Sequence, residues 1–205
     1  MTVGQRVRNA SGKRHIVRWI LAGVFILLIA YASKLPETHV LLQELFSPVR
    51  SASTEHGWNL ILVNQDYQVP GDWDIELTEL SNGQSVDSRI YPDLQQMFDD
   101  MRAQGVYPVV ASGYRTAEKQ QELMEEKIEE LKEQGYSYLE AKAEARRWVS
   151  AVGHSEHQTG LAVDINADGV SSTGNQVYEW LEKNAWQYGF ILRYSNFAPL
   201  KNQTF

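Results

Sequence analysis

The residues whose types and spacing could do chemistry lie in the run AVGHSEHQTGLAVDIN, residues 151–166. The pattern places His157 in a loop and Asp164 in the apolar strand LAVDI, so a turn at Gly160 would bring the two side chains together. An aspartate in such a strand is costly to bury without a partner. The pattern therefore indicates either a metal ion held by both side chains, or a carboxylate satisfied by loop N–H groups beside an ordinary loop histidine.

A second candidate group is SGYRT, residues 112–116, which comes immediately after the apolar run VYPVVA. Arg115 lies in the loop between this strand and the next helix, where its guanidinium could bind a carboxylate or a developing oxyanion. The alternative is an ordinary surface ion pair. Gln120, one turn further, could reach the same site or serve the structure alone. Ser112 and Ser155 lie near the candidate residues, but nothing else in the sequence supports a serine hydrolase.

Composition excludes several classes of site and partner. The chain has no cysteine, so disulfides, thiolate metal sites and cysteine nucleophiles are excluded, and any metal must be held by His, Asp or Glu. The first 34 residues carry six basic residues and no acid, which leaves 13 basic and 26 acidic residues in the remainder. Because a part of the chain this acidic would be repelled by the phosphates of a nucleic acid, nucleic acid is not an expected partner.

The N-terminus has the pattern of a membrane signal. A basic cytoplasmic tail, residues 1–18, precedes an apolar segment, residues 19–35, which would reach spanning length as an uncleaved anchor. The alternatives are a signal peptide cleaved after Ala30-Tyr31-Ala32 and, less favoured by the flanking charges, a buried core helix. An anchor or a signal peptide would place the acidic body on the extracytoplasmic side, membrane-bound or secreted.

The remaining pattern predicts an α+β domain over residues 58–195, after a linker over residues 36–57 that holds a short helix around residues 40–46. Strands are expected at WNLILVN, VYPVVAS, LAVDI and FILRY, with a hairpin formed by DIELTEL and SVDSRIY across SNGQ. Helices are expected from Pro92 towards Gly105, from Thr116 to about Gln134, from the Ser137 capping box to about Val149, and around residues 177–188.

With these motifs in place, the sequence resembles the VanY-like D-alanyl-D-alanine carboxypeptidases, which are zinc peptidases of bacterial peptidoglycan. The resemblance rests on SGYRT, on the pattern S-x-H-x-x-G-x-A-x-D at residues 155–164, and on WNLILVN, YPDLQQMFDD, STGNQVYEWL and YGFILRY. It implies a small zinc-peptidase fold whose central antiparallel sheet is flanked by helices. It also implies that His157 and Asp164 are zinc ligands and that Arg115 holds the peptide carboxylate or the oxyanion. Ser155 and Gln158 would make lesser contacts with the substrate.

The resemblance stops after about Ser195, and residues 196–205 form a divergent tail. The family continues into an E-P-W-H motif that supplies the general base and the third zinc ligand, and this sequence contains neither that motif nor a histidine after His157. We therefore expect a C-terminally incomplete chain with weak or no turnover, since two ligands hold zinc weakly. Replacement of the third ligand by His154 is a minor alternative.

The expected function is an exported zinc carboxypeptidase that trims the C-terminal D-amino acid of peptidoglycan stem peptides. The alternative is a non-catalytic protein that binds the same peptides. Residue patterns leave open D,D- against L,D-specificity and carboxypeptidase against endopeptidase action.

Overall fold

The computed structural model describes residues 19, 22–24, 31, 50–193 and 203–204. Residues 19, 22–24 and 31 are helical. Within the described part of the chain, no helix is both long enough and apolar enough to cross a membrane. Most of the predicted anchor and all of the predicted helix around residues 40–46 lie outside the described residues, so both stay predictions.

The N-terminal part of the domain forms two small sheets. Strand β1 (Arg50–Ser51) pairs in parallel with β2 (Tyr67–Gln68), so ordered pairing begins before the predicted domain start at residue 58. Strands β3 (Leu77–Glu79) and β4 (Ser85–Asp87) form an antiparallel hairpin. This confirms the hairpin predicted across SNGQ, where Gly83 adopts a positive φ.

Residues 50–193 contain four α-helices, and two of them begin directly after the predicted caps Thr116 and Ser137. The helices are α1 (Tyr91–Ala103), α2 (Ala117–Glu133), α3 (Tyr138–Ala145) and α4 (Gly174–Asn184). The Thr116 side chain accepts a hydrogen bond from the backbone of Lys119, and Ser137 forms a capping box with Glu140. Helix α3 ends before the predicted position at Val149. A short 3-10 helix, Ala185–Tyr188, continues α4 to Gly189.

The third sheet is antiparallel and carries the candidate site. Its strands are β5 (Pro108–Ser112), β6 (Asp164–Ala167) and β7 (Gln203–Thr204), with β6 in the middle. The main core packs α1 and α4 against this sheet and the hairpin, and its fully buried side chains include Val86, Met97, Met101, Val163, Ile165 and Val177. A smaller apolar cluster joins α2 to α3. The predicted mixture of helices with an antiparallel sheet is confirmed.

Two predicted strands are wrong. WNLILVN forms a 3-10 helix at Trp58–Leu60 followed by irregular chain, and FILRY has no strand over residues 190–193. Both predictions assumed that an apolar run is buried in a sheet. Leu60 and Ile191 are instead 66% and 72% exposed. Tyr194 lies outside the described residues.

Candidate metal centre and substrate-binding residues

Strand β6 delivers Asp164 to the site by alternation. Val163 and Ile165 on either side point into the core and are fully buried, so the carboxylate between them points to the other face of the sheet. The register between β5 and β6 shifts between Val110 and Ser112, which places Ser112 opposite Asp164. This irregularity brings the end of the SGYRT strand beside the candidate ligand.

His157 reaches Asp164 through the turn that the sequence predicted. It lies on a 3-10 helix, Glu156–Thr159, which ends at Gly160 with φ +74°. Only glycine adopts this conformation without strain, and the turn reverses the chain into β6. His157 Nε2 lies 3.5 Å from Asp164 Oδ2, and both residues are 6% exposed. The predicted convergence of these two side chains is confirmed.

The other imidazole nitrogen defines what His157 offers to the site. Its Nδ1 lies 2.8 Å from the carbonyl oxygen of Gly113. Because a carbonyl oxygen only accepts hydrogen bonds, Nδ1 must carry the proton and donate it. In the neutral ring, Nε2 then presents a lone pair towards the Asp164 carboxylate. Two electron-pair donors facing each other are the arrangement that a cation would satisfy.

Arg115 closes the site from the side of the SGYRT loop. Its Nε donates to Ser112 Oγ at 2.9 Å, and its Nη2 donates to Asp164 Oδ2 at 3.1 Å. The backbone N–H of Arg115 also donates to the His157 carbonyl at 3.1 Å, which ties the two motifs together. Burial lowers the pKa of the Arg115 guanidinium, and the Asp164 charge partly offsets that effect. The group remains a cation at neutral pH.

The Asp164 charge also acts on a second neighbour. Burial raises the pKa of the Tyr178 hydroxyl, and the Asp164 carboxylate raises it further. Tyr178 is therefore neutral at physiological pH. It donates to Asn166 Oδ1 at 2.7 Å from α4 across β6.

The donor pair fits a zinc ion in type and spacing. Two N and O ligands of one tetrahedral zinc lie about 3.4 Å apart, given metal–ligand distances of about 2.1 Å. The observed separation of 3.5 Å matches this value. In the part of the chain that the structure describes, no group of three His, Asp or Glu residues could hold a metal ion. His154 is no member of such a group, and its Nδ1 lies 2.8 Å from the backbone oxygen of Asn64.

Comparison with known proteins assigns the chain that carries this site to a family. The family model described as "VanY: D-alanyl-D-alanine carboxypeptidase" matches residues 83–203. The chain belongs to the VanY family. A D-alanyl-D-alanine carboxypeptidase of Enterococcus faecalis strain V583 is 60% identical over 140 residues, which cover 68% of this chain and 52% of that protein.

Two solved structures support the assignment to the VanY family. One is a variant of the vancomycin resistance D,D-pentapeptidase VanY in complex with Zn(II), with a TM-score of 0.63. The other is VanYB in complex with D-alanine-D-alanine, with a TM-score of 0.64. Both are 60% identical to this chain, of which they cover 67%; the match covers 77% and 76% of the solved chains. This chain spans about half the length of the curated VanY relatives it matches.

The other predicted substrate contacts are Ser155, Gln158 and Gln120, and they differ in their exposure and in their hydrogen bonds. Ser155 immediately precedes the 3-10 helix of His157 and is 4% exposed, and its side chain does not cap that helix. Gln158 Oε1 accepts from the backbone of Gly153 at 2.7 Å and so holds its own loop. Gln120 is 1% exposed, and its Nε2 donates to Ser150 O at 2.7 Å. Its substrate contact stays a prediction, because this structure leaves almost none of its surface accessible.

The geometry does not assemble a serine nucleophile within the described residues. Ser112 Oγ accepts from Arg115, and both imidazole nitrogens of His157 face other groups, namely Gly113 O and Asp164. The site residue that sequence reasoning missed is Gly113, whose carbonyl orients the imidazole. Gly113 stands inside the SGYRT motif, but a backbone contact between residues so distant in sequence leaves no signal in residue types.

Gly113→Ala is expected to destabilise the folded domain by about 1–3 kcal/mol, the usual range for overpacking. A Cβ on Gly113 would overlap the backbone oxygen of Ser85, to which the Tyr114 N–H donates at 2.6 Å. Chemical denaturation with urea measures the loss. Gly71→Ala is the control, because a Cβ there would meet no atom within 4 Å and the residue has no positive φ. A Gly113→Ala variant as stable as the unchanged chain would contradict the close approach.

Proposed function

We propose that this chain forms the catalytic core of a zinc-dependent D-alanyl-D-alanine carboxypeptidase that trims the C-terminal D-amino acid of peptidoglycan stem peptides. The observation that carries the proposal is the 3.5 Å separation of His157 Nε2 and Asp164 Oδ2, with the guanidinium of Arg115 on the same carboxylate oxygen. Membership of the VanY family and the printed substrate of VanYB support the choice of substrate.

His157 and Asp164 would hold the zinc ion. When bound, zinc supplies Lewis-acid polarisation of a carbonyl and makes water a better nucleophile near neutral pH. The protein's own contribution is to fix the ligands. The Gly113 carbonyl holds the imidazole as the Nδ1–H tautomer, and the core packing of β6 keeps the carboxylate aimed at Nε2.

Arg115 would bind the terminal carboxylate of the peptide. Its side chain is 23% exposed, so part of the guanidinium remains accessible while Ser112 and Asp164 hold its other N–H groups. A planar guanidinium can donate two parallel hydrogen bonds to a carboxylate. Binding the free C-terminus here would place the last peptide bond beside the ligand pair, and this would favour carboxypeptidase over endopeptidase action.

The substrate class is tested by release of D-Ala from a stem pentapeptide that ends in D-Ala-D-Ala. We expect release to require zinc, to stop on addition of a chelator and to return when zinc is restored. The rate is expected to be low, because the pair of ligands found among the described residues would hold zinc weakly. A tetrapeptide ending in a single D-Ala distinguishes L,D- from D,D-activity. Rapid release with zinc rigorously removed would refute the proposal.

A binding function without turnover is the second candidate, and the lack of a third donor within the described residues favours it. In that case the Arg115 side would still recognise the peptide carboxylate. Calorimetry with the pentapeptide, combined with analysis of the recovered peptide, separates the two functions. Tight binding of an uncleaved peptide without zinc would support the second candidate.

The domain would act outside the cytoplasm, where its substrate lies. The basic residues 1–18 followed by the apolar residues 19–35 support a signal-anchor or a cleaved signal peptide. Protease treatment of intact cells, with and without membrane permeabilisation, tests the location. N-terminal sequencing of the mature protein distinguishes anchoring from cleavage. Protection of the domain in intact wall-free cells would contradict export.

A further inference from the structure

The turn at Thr159 and Gly160 ends the 3-10 helix that carries His157 and leads the chain towards Asp164. Both of its carbonyl oxygens are held from outside. Trp73 Nε1 donates to Thr159 O at 3.1 Å, and the backbone N–H of Asp87 donates to Gly160 O at 3.0 Å. Any movement of this turn would change the distance between the two donor atoms, so these contacts bear directly on the site.

Both contacts are supported by the ion pair between Arg89 and the buried carboxylate of Asp87. Asp87 is fully buried, and Arg89 Nε and Nη2 donate to its two carboxylate oxygens at 2.8 and 2.5 Å. The backbone N–H of Arg89 donates to the same carboxylate at 2.8 Å. A buried carboxylate with three charge-assisted or backbone donors is rigidly placed. The backbone N–H of Asp87 is therefore fixed where Gly160 needs it.

The guanidinium of Arg89 also fixes Trp73. Its central carbon lies 5.1 Å from the centre of the Trp73 ring and 4.7 Å from that of Trp58. Cation–π contacts of this kind orient an aromatic ring as well as stabilise it. The indole of Trp73 is thus held by its ring while its N–H reaches Thr159, and nothing in the reaction proposed above uses either group.

Close packing also prevents Gly160 from moving towards Ile75 and Asp87. A Cβ on Gly160 would lie 2.6 Å from Ile75 Cδ1 and 3.1 Å from Asp87 N, so the glycine packs directly on the β3–β4 region. We propose that Trp73, held by the Asp87–Arg89 pair, is a positioning residue that sets the spacing of His157 and Asp164 through the Thr159–Gly160 turn. This inference rests on the proposed function, because it concerns the metal-binding competence of that same pair.

Trp73→Phe tests the inference in the full chain, because it removes the indole N–H and keeps an aromatic ring beside Arg89. We expect the zinc dissociation constant to rise about tenfold, the lower end of the range for groups that orient metal ligands indirectly. The visible spectrum of the Co(II)-loaded protein is expected to change, since it reports ligand geometry. Trp186→Phe is the matched control: Trp186 Nε1 also donates to a backbone oxygen, that of Lys183 at 3.0 Å, but it is 68% exposed and away from the pair.

Arg89→Lys is the second variant, which keeps the positive charge but loses the two-pronged contact with Asp87. It is expected to weaken zinc binding in the same direction as Trp73→Phe, with the same spectral change. Folded Trp73→Phe protein with the zinc affinity and Co(II) spectrum of the unchanged chain would overturn the positioning role. Failure of the unchanged chain to bind either ion would instead refute the proposed zinc function, and the inference with it.

Discussion

Asp164→Asn is expected to weaken zinc binding by more than about 100-fold, which exceeds the usual loss when only an orienting group is removed. Asparagine keeps the shape of the side chain but loses the negative charge, and a neutral amide is a poor zinc ligand. His157 would then be the single remaining member of the pair. Any zinc-dependent D-Ala release by the chain should fall to background. Titration calorimetry with zinc measures the first effect without depending on turnover.

Asp168→Asn is the matched control for this prediction. Asp168 follows β6 and carries the same charge, but its Oδ1 accepts backbone N–H groups of Val170, Ser171 and Ser172, which an amide oxygen can also do. Zinc binding by this variant should match that of the unchanged chain. Because Asp164→Asn also deprives Arg115 of its ion pair, the metal-free variant should melt at a lower temperature. Titrations must therefore be run well below that transition. Undiminished zinc affinity in Asp164→Asn would exclude Asp164 as a ligand.

Arg115→Lys is expected to weaken binding of a stem peptide with a free C-terminal carboxylate by about 10–100-fold. This corresponds to losing a charge-assisted hydrogen bond of about 1.5–3 kcal/mol. Lysine keeps the positive charge but cannot donate in parallel to a carboxylate while also contacting Ser112. A peptide whose C-terminus is amidated should bind both proteins equally weakly. Calorimetry with the two peptides gives the comparison, and it holds whether or not the chain turns over.

Arg102→Lys controls for the general effect of exchanging an arginine. Arg102 forms an exposed ion pair with Asp99 on α1, so its replacement should leave the affinity for both peptides unchanged. Equal loss of affinity for the free and the amidated peptide in Arg115→Lys would mean that Arg115 does not bind the carboxylate. It would then serve only to neutralise Asp164.

Local signals in the sequence predicted the four helices and, for α2 and α3, their starts. The hydroxyls of Thr116 and Ser137 cap backbone N–H groups three residues away, so the information needed for each cap lies within one turn. The same holds for the hairpin, whose turn glycine, Gly83, lies two residues before the start of β4. Each of these interactions is complete within a few neighbouring residues, and residue types alone therefore indicated them.

The strand predictions at WNLILVN and FILRY failed for the opposite reason. A strand exists only when a partner, often far along the chain, supplies the other half of its hydrogen bonds. Apolar residue types predict burial but not a partner, and Leu60 and Ile191 turned out to be exposed. The shift in register that brings Ser112 opposite Asp164 was equally invisible, because it depends on how two distant strands align.

The sequence by itself determined which residues form the candidate pair. His157, Gly160 and Asp164 stand close enough along the chain for one glycine turn to bring the side chains together, and SGYRT marked Arg115. Only the tertiary structure decided how these groups are used. The carbonyl of Gly113 selects the imidazole tautomer, and Trp73 and Asp87 hold the turn. These contacts are made by, or to, backbone atoms across long stretches of chain, and the type of a residue does not record what its backbone will meet.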